Sequence, residues 1–145
     1  MLATDATSCS SQTRLRAAVP RILLVDDEPS ILRSLARALR ALRPSWSVHV
    51  AGSGGEALCH LRTAPYDAVV TDLEMPGIDG LSLLSRVLDE HPEVVRLVHS
   101  SRIDDEVPET LGRLAQGAVA KPAHPDRVIH LIENALATQR SVQAA

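Results

Sequence analysis

At 145 residues, 45% of them hydrophobic, the chain suits one globular domain with a single core and is short for two. Its formal net charge of -3 is spread over interspersed acids and bases, with no basic stripe of the kind that neutralises nucleic-acid phosphates. The two cysteines, Cys9 and Cys59, have no metal-ligand or disulfide-framework spacing, and no stretch approaches the roughly 18 apolar residues needed to cross a bilayer.

Met1 to Pro20 are rich in Ser, Thr and Ala and lack the apolar centre of a secretory signal, so residues 1–20 are expected to form a flexible tail on a cytoplasmic protein. Arg21 to Val25 then form an apolar block without alternation, which suits a strand covered on both faces of a parallel sheet. After Asp26-Asp27-Glu28, Pro29 opens a helix. Ile31, Leu32, Leu35, Ala38, Leu39 and Leu42 recur at helical spacing until Pro44 stops the pattern. The alternation continues with a strand over Ser47 to Ala51, a helix over Gly54 to Arg62, and a strand over Ala68 to Thr71 that ends in Asp72.

The turn at Met75-Pro76-Gly77 leads to a helix from about Leu81 to Glu90, and Val94 to His99 reads as a strand. Asp105 to Ala115 is a weaker helix, since Pro108 and Gly112 are unfavourable inside one. Ala118 to Ala120 is a short strand, and Pro125 opens a last amphipathic helix carrying Val128, Ile129, Leu131, Ile132 and Leu136 along one side. Five strand and helix pairs in alternation predict an α/β fold with a doubly wound five-stranded parallel sheet and helices on both faces. The folded domain is drawn over 21–138, with 139–145 as a C-terminal tail.

In such a sheet ligands bind beyond the carboxyl ends of the strands. Asp26 and Asp27 end the first strand, Asp72 the third, Ser100 the fourth and Lys121 the fifth. Three carboxylates converging there repel one another unless a cation intervenes. Mg²⁺ favours such oxygen ligands, and Mn²⁺ fits the same set. Asp72 is the candidate nucleophile toward phosphorus, with the Lys121 ammonium and the Ser100 hydroxyl to stabilise charge on the transferred group. Glu74 stands two residues later in an irregular turn and offers its backbone carbonyl as a further metal ligand.

The stretches Ile22 to Glu28, Val70 to Gly80, Ser100 and Lys121-Pro122, in that order, resemble the response-regulator receiver family, and the likeness covers about Arg21 to Ala137. The resemblance implies a flavodoxin-like (βα)5 fold and Mg²⁺ on Asp26 and Asp27. It further implies phosphorylation of Asp72 from a histidine kinase or phosphotransfer protein, Lys121 on the phosphate, and Ser100 as the switching hydroxyl. The segments Pro44-Ser45-Trp46 and Ala51 to Gly54 look, more loosely, like receivers that precede HDOD or HD-GYP output domains. A homodimer through the last two helices is compatible with the family. The chain departs from it at Ala118, where receivers carry an aromatic residue. Any output is therefore expected to depend on the Ser100 to Gly117 segment and not on a ring flip.

The plainer readings are weighed beside these. Asp26-Asp27 before Pro29 alone suits a helix N-terminus, and Asp72 alone suits a loop ahead of a Pro-Gly turn. Trp46, His49, His60 and His99 suit packing or the surface, and Asp79 a helix cap. Two other functions compete with a non-enzymatic signalling module. One is a pseudo-receiver that binds partners without phosphorylation. The other is an aspartate-nucleophile phosphatase with Glu74 as general acid.

Overall fold

The first and third strand blocks, Arg21–Val25 and Ala68–Thr71, are apolar at nearly every position, so each needs cover on both faces, and the topology supplies it. A computed structural model describes residues 19–103 and 109–144. It comprises β1 (Arg21–Val25), α1 (Pro29–Leu42), β2 (Ser47–Ala51), α2 (Gly54–Thr63), β3 (Ala68–Thr71), α3 (Gly80–Glu90), β4 (Val95–Ser100), α4 (Glu109–Leu114), β5 (Gly117–Ala120) and α5 (Pro125–Ala144). All strands are parallel, in the order β2-β1-β3-β4-β5. Every residue of β3 and β4 is buried.

One face of the sheet, with Ile22, Leu24, Val70 and Leu97, packs on α1 and α5 through residues such as Leu39, Ile129 and Ile132. The other, with Leu23, Val25 and Val69, packs on α2 and α3 through Leu58, Leu61, Leu83 and Val87. A smaller cluster of Leu84, Val98 and Leu111 lies under α4. Burying each large aliphatic side chain contributes about 1.5–3 kcal/mol.

Helix starts follow local chemistry. Ser53 accepts a hydrogen bond from Glu56 N at 3.1 Å, and Asp79 one from Ser82 N at 2.8 Å, each satisfying a first-turn donor. Gly77 takes a positive φ of 79° in the turn before α3, a conformation that glycine adopts without strain.

The element order matches the sequence reading, with differences at the ends. Pro20 already belongs to the folded unit, because its carbonyl accepts from Ser47 N at 2.9 Å. Residues 1–18 lie outside the described residues, and with them the rest of the expected tail. The stretch drawn as a C-terminal tail from 139 is corrected in part: α5 continues to Ala144, and Gln139 Nε2 donates to Glu93 O at 3.1 Å. Of the weaker helix expected over Asp105 to Ala115, Glu109–Leu114 is observed, and residues 104–108, including Pro108, lie outside the described residues. Inside the apolar β4, Arg96 is buried, donating from Nε to Leu114 O at 2.8 Å and from Nη1 to Val94 O at 3.0 Å. Burial pushes its pKa down, and its bonds tie the end of α4 to the sheet.

Candidate functional site

The strand order reverses between β1 and β3, which are neighbours although β2 intervenes in the chain. Val25 pairs with Thr71, so the residues that follow them, Asp26 and Asp72, emerge side by side. Ladder bonds run one residue past the strands and fix the site residues rigidly. Asp26 N donates to Ala51 O at 3.2 Å, Asp72 N to Val25 O at 3.0 Å, and Lys121 N to Ser100 O at 3.0 Å.

Each buried carboxylate divides its oxygens between folding its loop and facing the crevice. Asp26 Oδ1 accepts from Glu28 N at 3.0 Å, turning the chain into α1. Asp72 Oδ1 accepts from Leu73 N at 2.8 Å and Glu74 N at 3.4 Å. The second oxygens converge on one ammonium: Lys121 Nζ lies 2.6 Å from Asp26 Oδ2 and 3.3 Å from Asp72 Oδ2. Burial alone lowers the pKa of Lys121, but the hydrogen bond and charge of Asp26, reinforced by Asp72, outweigh it and hold the pKa above its ordinary value.

Asp27 is exposed at the rim, and one oxygen from each of Asp26, Asp27 and Asp72 lies within 4.8 Å of the others. Ligand oxygens around an octahedral Mg²⁺, at 2.0–2.1 Å from the ion, stand about 3 to 4.2 Å apart, so this all-oxygen trio fits the ion after a small contraction. A depression of about 500 Å³ opens over Asp27 and Asp72, lined also by Glu74, Ser101 and Lys121. Glu74 thus stands at the mouth, but its side chain is turned away to Arg102, with 2.6 Å between Oε1 and Nε.

Ser100 is fully buried and does not line the depression; its hydroxyl oxygen accepts from Arg102 N at 3.2 Å. Ser101 lines the opening in its place. The Lys121-Pro122 peptide bond is cis.

Sequence reasoning gave no role to Gly80, although the quoted motif contains it. A Cβ there would press on the carbonyl oxygen of Asp72 and lie 2.6 Å from Leu73 Cα. The available signal was a poor helix former placed directly after the cap Asp79. His99, read as packing or surface, is buried, with Nε2 unpartnered among the described residues. Burial, and next the charge of Lys121, lower its pKa against the opposing pull of Asp26 and Asp72.

The family model described as the response regulator receiver domain matches residues 22–133. The transcriptional regulatory protein PrrA of Mycobacterium leprae is 39% identical over 90 residues, covering 61% of this chain and 38% of that protein. Protein-glutamate methylesterase/protein-glutamine glutaminase 3 of Rhodospirillum rubrum is 37% identical over 111 residues, covering 77% of this chain and 30% of that protein. The chain therefore spans less than half the length of these curated relatives. A response regulator receiver domain protein (CheY-like) from Methanospirillum hungatei superimposes with a TM-score of 0.78 at 23% identity, over 85% of this chain and 98% of that one, a likeness of fold. The signal receiver domain of an HD domain-containing protein from Pseudomonas fluorescens gives 0.75 at 26% identity, over 85% and 98%.

Proposed function

The chain belongs to the response regulator receiver domain family, and from that premise we propose that Asp72 accepts a phosphoryl group from the phosphohistidine of a partner kinase or phosphotransfer protein, changing conformation to control an output. The observation that carries this reading is Lys121 Nζ held between Asp26 Oδ2 and Asp72 Oδ2, inside a carboxylate trio of metal-binding size. Asp72 Oδ1 is occupied by two backbone N–H groups, which orient the carboxylate and leave Oδ2 as the attacking atom. Attack forms an O–P bond to Asp72 as the P–N bond of the donor breaks and the imidazole takes the leaving electron pair.

Asp26 and Asp27, with Asp72 and the Glu74 carbonyl, would hold a Mg²⁺, which supplies charge neutralisation for phosphoryl oxygens. Lys121 presents an ammonium, already fixed beside the attacking oxygen, to the same developing charge. Ser100, buried outside the depression and accepting from Arg102 N, must turn its hydroxyl to meet the phosphoryl group, which makes it a reporter of phosphorylation and not a preformed part of the site.

The module acts once per phosphorylation and not as a multiple-turnover enzyme. The transcriptional and methylesterase functions in the relatives' names belong to much longer proteins, so only the receiving step is assigned to this stretch. No helix among the described residues is long and apolar enough to cross a membrane, and a kinase donor places the step in the cytoplasm. Against the phosphatase alternative, the acid pair Asp26-Asp27 follows the first strand, and Glu74, its would-be general acid, pairs with Arg102 at the surface.

Incubation with acetyl phosphate and Mg²⁺ should add one phosphoryl group by intact mass. The adduct should be lost with a chelator and in Asp72→Asn. Labelling that survives Asp72→Asn, or no labelling of the wild type, overturns the proposal.

A further inference from the structure

Along β4, Val95 and Leu97 face α1 and α5, and the alternation of side chains puts His99 next on that face, where an aliphatic residue would satisfy the packing. The imidazole is only 7% exposed, and its Nε2 is cut off from solvent with no hydrogen-bond partner among the described residues. A buried polar atom left in that state destabilises the fold unless something pairs with it.

His99 also forms part of the wall of a cleft of about 410 Å³ between the start of α1 and the segment that joins β5 to α5. Ile31, Leu35, Ala123 and Pro125 make most of the lining apolar, and Ser30 and Ser34 stand on the α1 side. This size and mixture, hydrocarbon walls with a few polar groups, are those of a small-molecule site. The lining holds no carboxylate to retain a cation. Its one charged side chain, Lys121, is already committed to Asp26 and Asp72, which repel an anion. An occupant is therefore uncharged. Burial, and next the charge of Lys121, hold the His99 pKa below its ordinary value, so the ring meets that occupant as a neutral imidazole, with one nitrogen donating and the other accepting. A hydroxyl group answers either nitrogen. Nothing among the described residues anchors Nε2, and the torsion that turns the ring is soft, so a nitrogen can swing toward the cleft.

We propose that this cleft is a ligand site for an uncharged, mainly hydrocarbon small molecule that carries a hydroxyl group, with the hydroxyl on the His99 imidazole and the hydrocarbon body against Leu35 and Ala123. The site does not depend on the phosphotransfer reading above. Lys121 and Pro122 line both this cleft and the depression over Asp72, so an occupant lies next to that crevice.

The test titrates the full chain, without Mg²⁺ or a phosphodonor, with p-cresol, toluene and p-toluate, which share a ring and differ in carrying a hydroxyl, no polar group or a carboxylate. Binding is read from NMR signals of the cleft. p-Cresol should give saturable shifts at the methyl groups of Ile31, Leu35 and Ala123 and at the His99 ring, with a Kd roughly tenfold below that of toluene, and p-toluate should give none. His99→Leu keeps the wall apolar and should bind p-cresol and toluene alike. Ala123→Phe fills the cleft from the β5–α5 side and leaves His99 in place; it should abolish the p-cresol shifts while the amide spectrum stays that of a folded chain. No saturable p-cresol shift in the wild type, as when water alone fills the cleft, overturns the site, and so do p-cresol shifts that persist in Ala123→Phe. Equal affinity of the wild type for p-cresol and toluene, saturable binding of p-toluate, or a p-cresol preference that survives His99→Leu overturns the assigned ligand chemistry.

Discussion

Replacing Gly80 by alanine tests whether the position of Asp72 is set by helix packing. Gly80 opens α3 against the backbone of the Asp72 loop, and its N–H donates to Leu73 O at 2.9 Å. A Cβ there would press on Asp72 O and lie 2.6 Å from Leu73 Cα and 3.0 Å from Asp72 C. Ordinary contact begins at 3.4 Å, and all three obstructing atoms are backbone, which cannot rotate aside. The loop or the helix must therefore retreat by on the order of 1 Å, and overpacking of this kind costs about 1–3 kcal/mol. Asp72 cannot absorb the shift freely: Thr71 Oγ1 donates to its carbonyl at 2.8 Å, and its N–H is held by β1. Misplacement by about 1 Å can cost 10²-fold in rate. Gly80→Ala should therefore lower the midpoint of urea unfolding and slow Mg²⁺-dependent labelling by acetyl phosphate by up to roughly 100-fold. Gly55→Ala is the control. It is exposed in the first turn of α2 with nothing within 4 Å of the added Cβ, and should be neutral or stabilising by up to about 1 kcal/mol. If Gly80→Ala unfolds and labels like the wild type, the close approach does not position Asp72 and the reasoning is refuted.

Lys121→Met leaves Asp26 and Asp72 buried without their shared cation, a change expected to cost about 3–5 kcal/mol at neutral pH, with saturating Mg²⁺ restoring part of the loss. A chemical-denaturation midpoint that Mg²⁺ does not raise more in this variant than in the wild type counts against a metal site there. Protonation of His99 is disfavoured by folding, so stability tied to it falls as pH drops below the ordinary 6.5 toward its depressed folded-state value. His99→Leu should flatten that limb of the melting temperature against pH, and an unchanged limb would show the imidazole to be indifferent. Asp79→Ala removes the cap of α3 and should cost about 1 kcal/mol, read by thermal melting, while Mg²⁺-dependent labelling persists.

The sequence made the strands and the acid set legible for the same reason: both follow from patterns local in the chain. Apolar blocks of four or five residues ending in Asp or Lys mark buried parallel strands and place those polar residues at one sheet edge. The side-by-side emergence of Asp26 and Asp72 follows once the strand order is known. Contacts between distant segments were illegible. Nothing local says that Arg96 would be buried in β4 and satisfied by carbonyls, because an arginine in an apolar run reads as an interruption. Gly80 received no role, since its constraint comes from the backbone of Asp72 and Leu73, eight and seven residues earlier. The continuation of α5 through 139–144 was missed because the apolar stripe ends at Leu136, and the extra turn bonds to the loop before β4 through a polar side chain.

If Asp72 is phosphorylated as proposed, the signal leaving it must travel without an aromatic ring, and the geometry narrows where it can go. The chain has one Trp, one Tyr and no Phe. Trp46 precedes β2 and Tyr66 precedes β3, so both stand at the amino end of the parallel sheet, opposite the site. Ala118, beside Val98 in the register, is exposed and has no ring to move. Ser100 instead joins two parts: its carbonyl accepts from Lys121 N, and its hydroxyl oxygen accepts from Arg102 N. If the hydroxyl turns to a phosphoryl group on Asp72, the Arg102 N–H loses its acceptor, and the turn carrying Arg102 is released along with the ion pair to Glu74. That pair is exposed and opposes the movement little. Beryllofluoride with Mg²⁺ should therefore shift backbone NMR signals of residues 100–103 and 109–117 more than those of α2, and Ser100→Ala should suppress these distal shifts while still binding the phosphoryl mimic. Shifts confined to residues touching Asp72, or equal responses in Ser100→Ala and wild type, would show that the hydroxyl is not the carrier.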